Sequence, residues 1–285
     1  MMRRKLSPLG KTLLIVLTVI MVLWSLFPIY WMLSTSLKTD LDVIKKPTDI
    51  WPREVTLEHY RQILNLVDTS NTPIVQFFTN SVLTSVSTVF LAILFSIPAS
   101  YVLSRFYFRF REGILLGVLV TQMFPLVVLI IPLYMLYLKI GLLNTYQGLV
   151  FAFTAFTMPF NIWMLKGYID TVPREVDEAG KIDGCNPLQV LTKLILPVIK
   201  PGIVAVACFA FLDAWNNLLF PMSLVNKLSM KTLPAGMPIM FAGDFKHDWG
   251  GMMATSVVVS LPVVIVFILL QKYLVEGLTA GSVKG

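Results

Sequence analysis

The sequence predicts an all-α polytopic membrane protein with six transmembrane helices, cytoplasmic N- and C-termini, and a helical corner in the cytoplasmic loop between spans four and five. Three observations predict it. Apolar side chains make up 56% of the 285 residues and charged ones only 14%, too little polar surface for a water-soluble body. Six stretches are long and apolar enough to cross a hydrocarbon core of about 30 Å, which takes roughly 20 helical residues. The basic residues gather in alternate loops.

In order, the spans are Thr12 to Ser34, Phe77 to Ser104, Gly113 to Leu138, Gln147 to Ile169, Pro201 to Met222 and Met252 to Tyr273. The basic start and apolar first run invite comparison with a cleaved signal. The run is too long for one and no small-x-small site follows it, so it is expected to stay as a span. Lys and Arg resist translocation and so mark the cytoplasm. Arg3, Arg4, Lys5 and Lys11 precede the first span with no acid, and Arg105, Arg109 and Arg111 crowd the loop after the second. The first external loop instead mixes Lys38, Lys45, Lys46, Arg53 and Arg61 with six acids, and the third loop holds only Lys139. The net charge of +7 is thus an orientation signal. No basic stripe with interleaved aromatics points to nucleic acid.

Between the first two spans, Leu37 to Gln76 carries Pro47, Pro52 and Pro73 around a helical piece, Thr56 to Leu66, where Thr56 can cap and Glu58 lies in the first turn. It reads as an external lid with one short helix. The loop Ser223 to Gly251 holds Pro234, Pro238 and four glycines and should be irregular. His59 and His247 fall in these loops and read as ordinary polar loop residues. Cys185 and Cys208 have no metal-ligand spacing and cannot meet across this topology, so both read as free thiols. No cofactor or metal is expected on the chain.

Pro98, Pro125, Pro132, Pro159 and Pro262 lie inside spans, where each removes a backbone donor and kinks its helix unless neighbours compensate. Ser81, Thr84, Ser85, Ser87 and Thr88, with Thr154 and Thr157, suit either close helix packing or the lining of a pore. The expected organisation is a first helix and external loop over 1–76, a transport domain over 77–275 and a cytoplasmic tail over 276–285.

The segment Val172 to Gly202 reads as two short helices at a corner. Pro173 fits a first turn, and Glu175, Asp177 and Glu178 place negative charge at the N-terminal end of the helix dipole. Gly184 can take the left-handed conformation that ends this helix, Asn186 then caps and Pro187 starts a second one, which stops at Pro197. Val172, Val176, Ala179 and Ile182 form the predicted apolar stripe, with Arg174, Asp177, Glu178 and Lys181 off it. So short a helix is marginal in water and needs a surface to lie on; its other side is then a rigid knob for a partner's groove.

Glu178, Ala179 and Gly180, then Gly184, then Leu194, Leu196 and Pro197 resemble in identity and spacing the EAA loop of ATP-binding-cassette importer permeases. Gly180 stands where that family usually has a second Ala, and Leu194 where it often has Ile. The end of the chain, GLTAGSVKG, is similar to the tail of the maltose-type carbohydrate permeases, in particular the smaller of their two paired membrane subunits. SLKTDLDVI and TLEHYRQIL after the first span, and AWNNLLF in the fifth, resemble the same group. The resemblance implies that the corner docks on a separate ATPase through Glu178, Ala179, Gly180, Asp183, Gly184, Leu196 and Pro197. It further implies that the tail residues Gly281, Ser282, Val283, Lys284 and Gly285 touch that ATPase. The implied partners are a second homologous permease, two copies of a cytoplasmic ATP-binding subunit, an external solute-binding protein and membrane lipid, with a sugar as cargo.

Asp213 lies within the fifth span, where an acid costs roughly 2.5–3.5 kcal/mol and should not face lipid. Asn217, four residues on, is expected on the same helix face, with Trp215 and Asn216 flanking. An acid, amides and an aromatic plane suit a sugar path, and equally a structural contact with a partner permease. Asp213 would also be the carrier in a proton-coupled secondary transporter, the non-enzyme rival, which leaves the corner unexplained. An intramembrane protease is the enzyme rival, but Asp170, Asp213 and Asp244 share no depth at which two could hold one water. Gly10, Lys11 and Thr12 imitate the end of a phosphate-binding loop without its first glycine or preceding strand.

Overall fold

The computed structural model describes residues 7–65, 74–241 and 248–282, among which there is no strand. The helices are α1 Pro8–Ser36, α2 Asp40–Ile44, α3 Glu58–Asn65, α4 Ile74–Arg105, α5 Arg111–Thr121, α6 Leu126–Ile140, α7 Tyr146–Asp170 and α8 Glu175–Ile182. There follow α9 Pro187–Val198, α10 Lys200–Asn216, α11 Leu219–Leu224, α12 Leu233–Phe241 and α13 Trp249–Ser282. The chain forms two compact units, one of residues 1–73 with 241–261 and one of 74–240 with 262–285.

In the first unit, α1 opens with Pro8 in its first turn and the Ser7 side chain accepting the Gly10 N–H. Its apolar face is unburied until Ser34, Thr35 and Ser36, as suits a helix whose solvent is lipid. The described residues of the segment between the first two spans hold two short helices where one was expected. Thr39 caps α2 by accepting from the Asp42 N–H, with Asp40 and Asp42 in its first turn. Thr56 Oγ1 accepts from the Glu58 N–H at 3.1 Å at the start of α3, as expected. Lys38 is fully buried; its Nζ donates to the Asp49 carbonyl at 2.6 Å and lies 4.7 Å over the Trp31 ring.

His59 is not the loop residue the sequence suggested. It sits on α3, 3% exposed, because α3 turns that face inward, onto the Lys38 carbonyl. His247, Asp244 and the basic cluster Arg3, Arg4 and Lys5 lie outside the described residues.

The second unit is built on α4, α7 and α10, which pack on one another. Ser81, Thr84, Ser85 and Thr88 of α4 and Thr154 and Thr157 of α7 are all buried, so in this chain they serve close packing. Thr84 and Thr157 satisfy their hydroxyls on carbonyls one turn back, those of Asn80 and Phe153. Asn80 joins three segments: its amide donates to the Ser229 and Lys231 carbonyls, both at 2.9 Å, and its oxygen accepts from the Tyr146 hydroxyl at 2.8 Å. The segment Ser223 to Gly251 is therefore less irregular than expected, and α12 occupies part of it.

Among the described residues, four helices, α1, α4, α7 and α13, are long and apolar enough to cross a membrane unbroken. Two pairs reach that length only together: α5 with α6, bent by 100°, and α9 with α10, bent by 83°. The predicted third span is thus broken at Gln122–Pro125. Pro125 has no N–H to continue the ladder and pushes Phe124 away from helical geometry. Pro98, Pro132, Pro159 and Pro262 instead stay within continuous helices. The predicted fifth span also divides: α10 ends at Asn216, Asn217 has ψ 119°, and α11 begins anew.

Candidate functional site

The corner of α8 and α9 is built as its sequence dictates. Asp183 ends α8 and Gly184 follows at φ +81°, so the Cys185 N–H reaches the Gly180 carbonyl at 2.9 Å and the Gly184 N–H the Lys181 carbonyl at 3.1 Å. This is the paired arrangement that closes a helix through a left-handed residue. Two residues on, Asn186 Oδ1 accepts from the Gln189 N–H and the Asn186 N–H donates to Gln189 Oε1, both at 2.9 Å, with Pro187 in the first turn. That reciprocal cap starts α9. α9 widens into one π turn over Val190–Ile195, where the Leu196 N–H reaches the Leu191 carbonyl, just before Pro197. It runs to Val198, one residue past the predicted stop.

The inward face of α8 differs from the predicted stripe. Val176, Asp177 and Gly180 face inward, whereas Ala179 is exposed and Ile182 is 86% exposed. The helix begins at Glu175, so Val172 lies before it and sets no register for it. The outward row is Glu175, Glu178, Ala179 and Ile182, at helical spacings of three, one and three. Acid and apolar groups thus share the presented surface, joined by exposed Leu188 and Val198 of α9.

Asp177 is held inward by charge. Arg105, from the last turn of α4, brings Nε to 3.0 Å from Asp177 Oδ2, with side chains 7% and 10% exposed. The two atoms are not in line for a hydrogen bond, so the attraction is chiefly Coulombic. Tyr101 donates its hydroxyl to Asp177 Oδ1 at 3.3 Å, and Arg105 Nη2 donates to the Val172 carbonyl at 2.8 Å. Beneath lies an apolar bed of Tyr101, Ile169, Val172, Val190, Leu191, Ile195 and Ile199. Arg174 reaches the loop after α4, stacking on Tyr107 and donating to its hydroxyl at 3.0 Å.

Of the residues assigned to docking, Glu178, Ala179, Asp183, Gly184 and Pro197 are exposed, Leu196 is half-buried, and Gly180 faces inward. A Cβ on Gly180 would lie 2.6 Å from Leu194 Cδ1 and 3.2 Å from Val190 Cγ2. The two departures from the family pattern, Gly180 and Leu194, therefore face each other. A smaller residue on one helix makes room for the longer side chain on the other.

The intramembrane group is less united than its sequence spacing suggested. Asp213 is half-buried on α10 and Asn216 is exposed, its amide donating to the Leu212 carbonyl. Asn217 lies beyond the helix end, so it does not share the Asp213 face; its Oδ1 accepts the Phe220 N–H at 3.1 Å and so starts α11. Trp215 is 1% exposed, stacked on Phe211 and edge-on to Phe78. Asp170 is engaged by the Lys166 ammonium at 2.6 Å and the Ser104 hydroxyl at 2.5 Å. Of the tail, Gly281 and Ser282 end α13, and Val283, Lys284 and Gly285 lie outside the described residues.

Fold and corner together define a helical membrane-spanning component with an exposed, charge-latched corner. The chain belongs to the family described as binding-protein-dependent transport system inner membrane component, which matches residues 92–279. It is thus a transporter subunit of the inner membrane rather than an enzyme. Curated relatives run nearly its whole length. It is 36% identical to the inner membrane ABC transporter permease protein YcjP of Escherichia coli, covering 92% of each chain. It is 34% identical to the trehalose/maltose transport system permease protein MalG of Thermococcus litoralis, over 97% of this chain and 98% of that one. It is 31% identical to the diacetylchitobiose uptake system permease protein DasC of Streptomyces coelicolor, over 99% and 100%. A solved bacterial ABC transporter involved in the import of the acidic polysaccharide alginate shares the fold, with a TM-score of 0.81 over 94% of this chain and 99% of that one at 22% identity.

Proposed function

We propose that the chain is the smaller permease subunit of an ATP-driven importer of a di- or oligosaccharide. It contributes half of the translocation path beside a second, homologous permease, above two copies of a cytoplasmic ATPase, and receives its cargo from an external solute-binding protein. The observation that carries this reading is the corner: a preformed outward row of Glu178, Ala179 and Ile182, latched to the end of α4 through Asp177 and Arg105. A knob fixed to a spanning helix can pass the movement of an ATPase into the membrane. The basic residues before α1 and after α4 support cytoplasmic termini and a cytoplasmic corner. The tail from Gly281 to Gly285 is assigned to the same ATPase surface.

The named substrates of the relatives support a sugar as cargo, since a trehalose/maltose and a diacetylchitobiose permease align over nearly all of this chain. Asp213 is the group in α10 best suited to a substrate path, with Asn216 beside it, and Trp215 braces them from the packed side. Glu178→Ala and Gly184→Ala are expected to abolish ATP-driven uptake while the subunit still inserts. Unchanged uptake in the double variant overturns the docking role; uptake by this chain alone on a proton gradient overturns the importer. Screening sugars against the cognate binding protein identifies the cargo.

A further inference from the structure

An imidazole and two carboxylates meet within the unit of residues 1–73 and 241–261: His59 on α3, Asp40 at the start of α2, and Asp248 just before α13. His59 is 3% exposed, and its Nε2 lies 2.9 Å from the Lys38 carbonyl oxygen. A carbonyl only accepts, so in the neutral ring Nε2 carries the hydrogen and Nδ1 is a bare lone pair. That Nδ1 is buried and has no hydrogen-bond partner. Facing it at 3.8 Å is Asp248 Oδ1, another acceptor, and Asp40 Oδ1 lies 3.7 Å from Nε2. A buried, unpartnered Nδ1 lone pair facing a carboxylate oxygen, with a second carboxylate beside the ring, suits a cation between them.

We propose that Asp40, His59 and Asp248 form a site for a first-row divalent transition-metal ion such as Zn²⁺, bound through His59 Nδ1 and the two carboxylates. One ligand atom from each residue lies within 4.8 Å of the others. Ligands about 2.0 Å from a tetrahedral ion sit about 3.3 Å apart, so Asp248 must close on Nδ1 by about 0.5 Å, and Asp40, which lies nearer the Nε2 side of the ring, must swing in by up to about 1.5 Å. They are free to do so, with side chains 81% and 42% exposed, while the imidazole is fixed. A Cβ on Gly250 would fall 2.1 Å from His59 Nε2, so the ring packs directly against that backbone. Asp248 Oδ1 is oriented by the Gly251 N–H at 2.7 Å. A ligand histidine donating its other N–H to a carbonyl, beside a hydrogen-bonded carboxylate, is the outer-shell pattern of metal sites. The nitrogen ligand favours zinc or nickel over calcium or magnesium. The ion joins the lid helices to the start of α13, segments far apart in sequence, and the proposal is independent of the cargo and the orientation in the membrane.

The test uses the assembled transporter in detergent, stripped with a chelator and titrated with Zn²⁺ at neutral pH. Bound metal is counted by mass spectrometry, and Co²⁺ in its place is read by visible absorption. One ion per copy of this chain is expected. His59→Asn retains an amide for the Lys38 carbonyl and should weaken binding about tenfold or more, as should Asp248→Asn, which retains the acceptor for Gly251. Asp40→Asn changes an exposed side chain, cannot act by unfolding the unit, and should also weaken binding. Equal Zn²⁺ binding in these variants overturns the site. So does stabilisation of the region by acid alone with no response to metal, which would mark a protonated imidazole between two carboxylates.

Discussion

Arg105→Met removes the cation that holds the corner and leaves Asp177 as an unpaired buried carboxylate. At 3.0 Å, with an effective dielectric of about 20, the pair attracts by about 5–6 kcal/mol before desolvation is set against it. Removing one partner of such a pair costs about 3–5 kcal/mol. α8 has eight residues and is not stable without a surface, so this loss falls on its docking rather than on the whole fold. At a factor of ten for each 1.4 kcal/mol, the docked population falls against the undocked by about a hundredfold or more. Amide hydrogen exchange over residues 175–183 should accelerate by that factor in the assembled transporter, and ATP hydrolysis should continue with little uptake. Adding Asp177→Leu should restore much of the protection, because apolar replacements of both partners cost little. Restoration stays incomplete, since the Val172 carbonyl also loses its donor. Wild-type exchange and uptake in Arg105→Met would refute the latch, and a double variant no better than the single would show that shape, not charge, holds the helix.

Two further outcomes follow from the same corner. Gly184→Ala places a Cβ at φ +81°, costing about 1–2 kcal/mol, and should fray the end of α8, read as faster exchange at Gly184 and Cys185 and weaker co-purification of the ATPase. Gly180→Ala meets only the far end of Leu194 and the Val190 methyl, so a loss of about 1 kcal/mol is expected, relieved when Leu194→Val is added. Thermal unfolding of the purified transporter measures both.

Much of the corner was legible because its signals are local. Gly184, Asn186 and Pro187 act within a turn of themselves, and each appears where its backbone preference requires it. The failures were non-local. Asp177 looked solvent-facing because its partner, Arg105, is more than 70 residues away, and a charge buried by a distant counter-charge leaves no trace in helical periodicity. Ile182 looked buried because apolar residues usually are, yet it lies on the outward face of α8, where none of the described residues covers it. His59 was missed for the same reason as Asp177: Lys38 and Asp40 reach it from one segment and Asp248 from another, far along the chain. The Asp213–Asn217 pairing failed where the helix itself ended.

By itself the sequence determined the class of protein, its helical content and the stretches fit for lipid, since bilayer insertion depends on composition summed over about 20 residues. It also determined the turns of the corner, which are matters of single-residue conformation. Only the tertiary structure decided which faces of those helices turn inward, which prolines break a span and which polar groups meet. Those outcomes depend on packing and electrostatic energies between segments distant in the chain, and such energies exist only once the segments have come together.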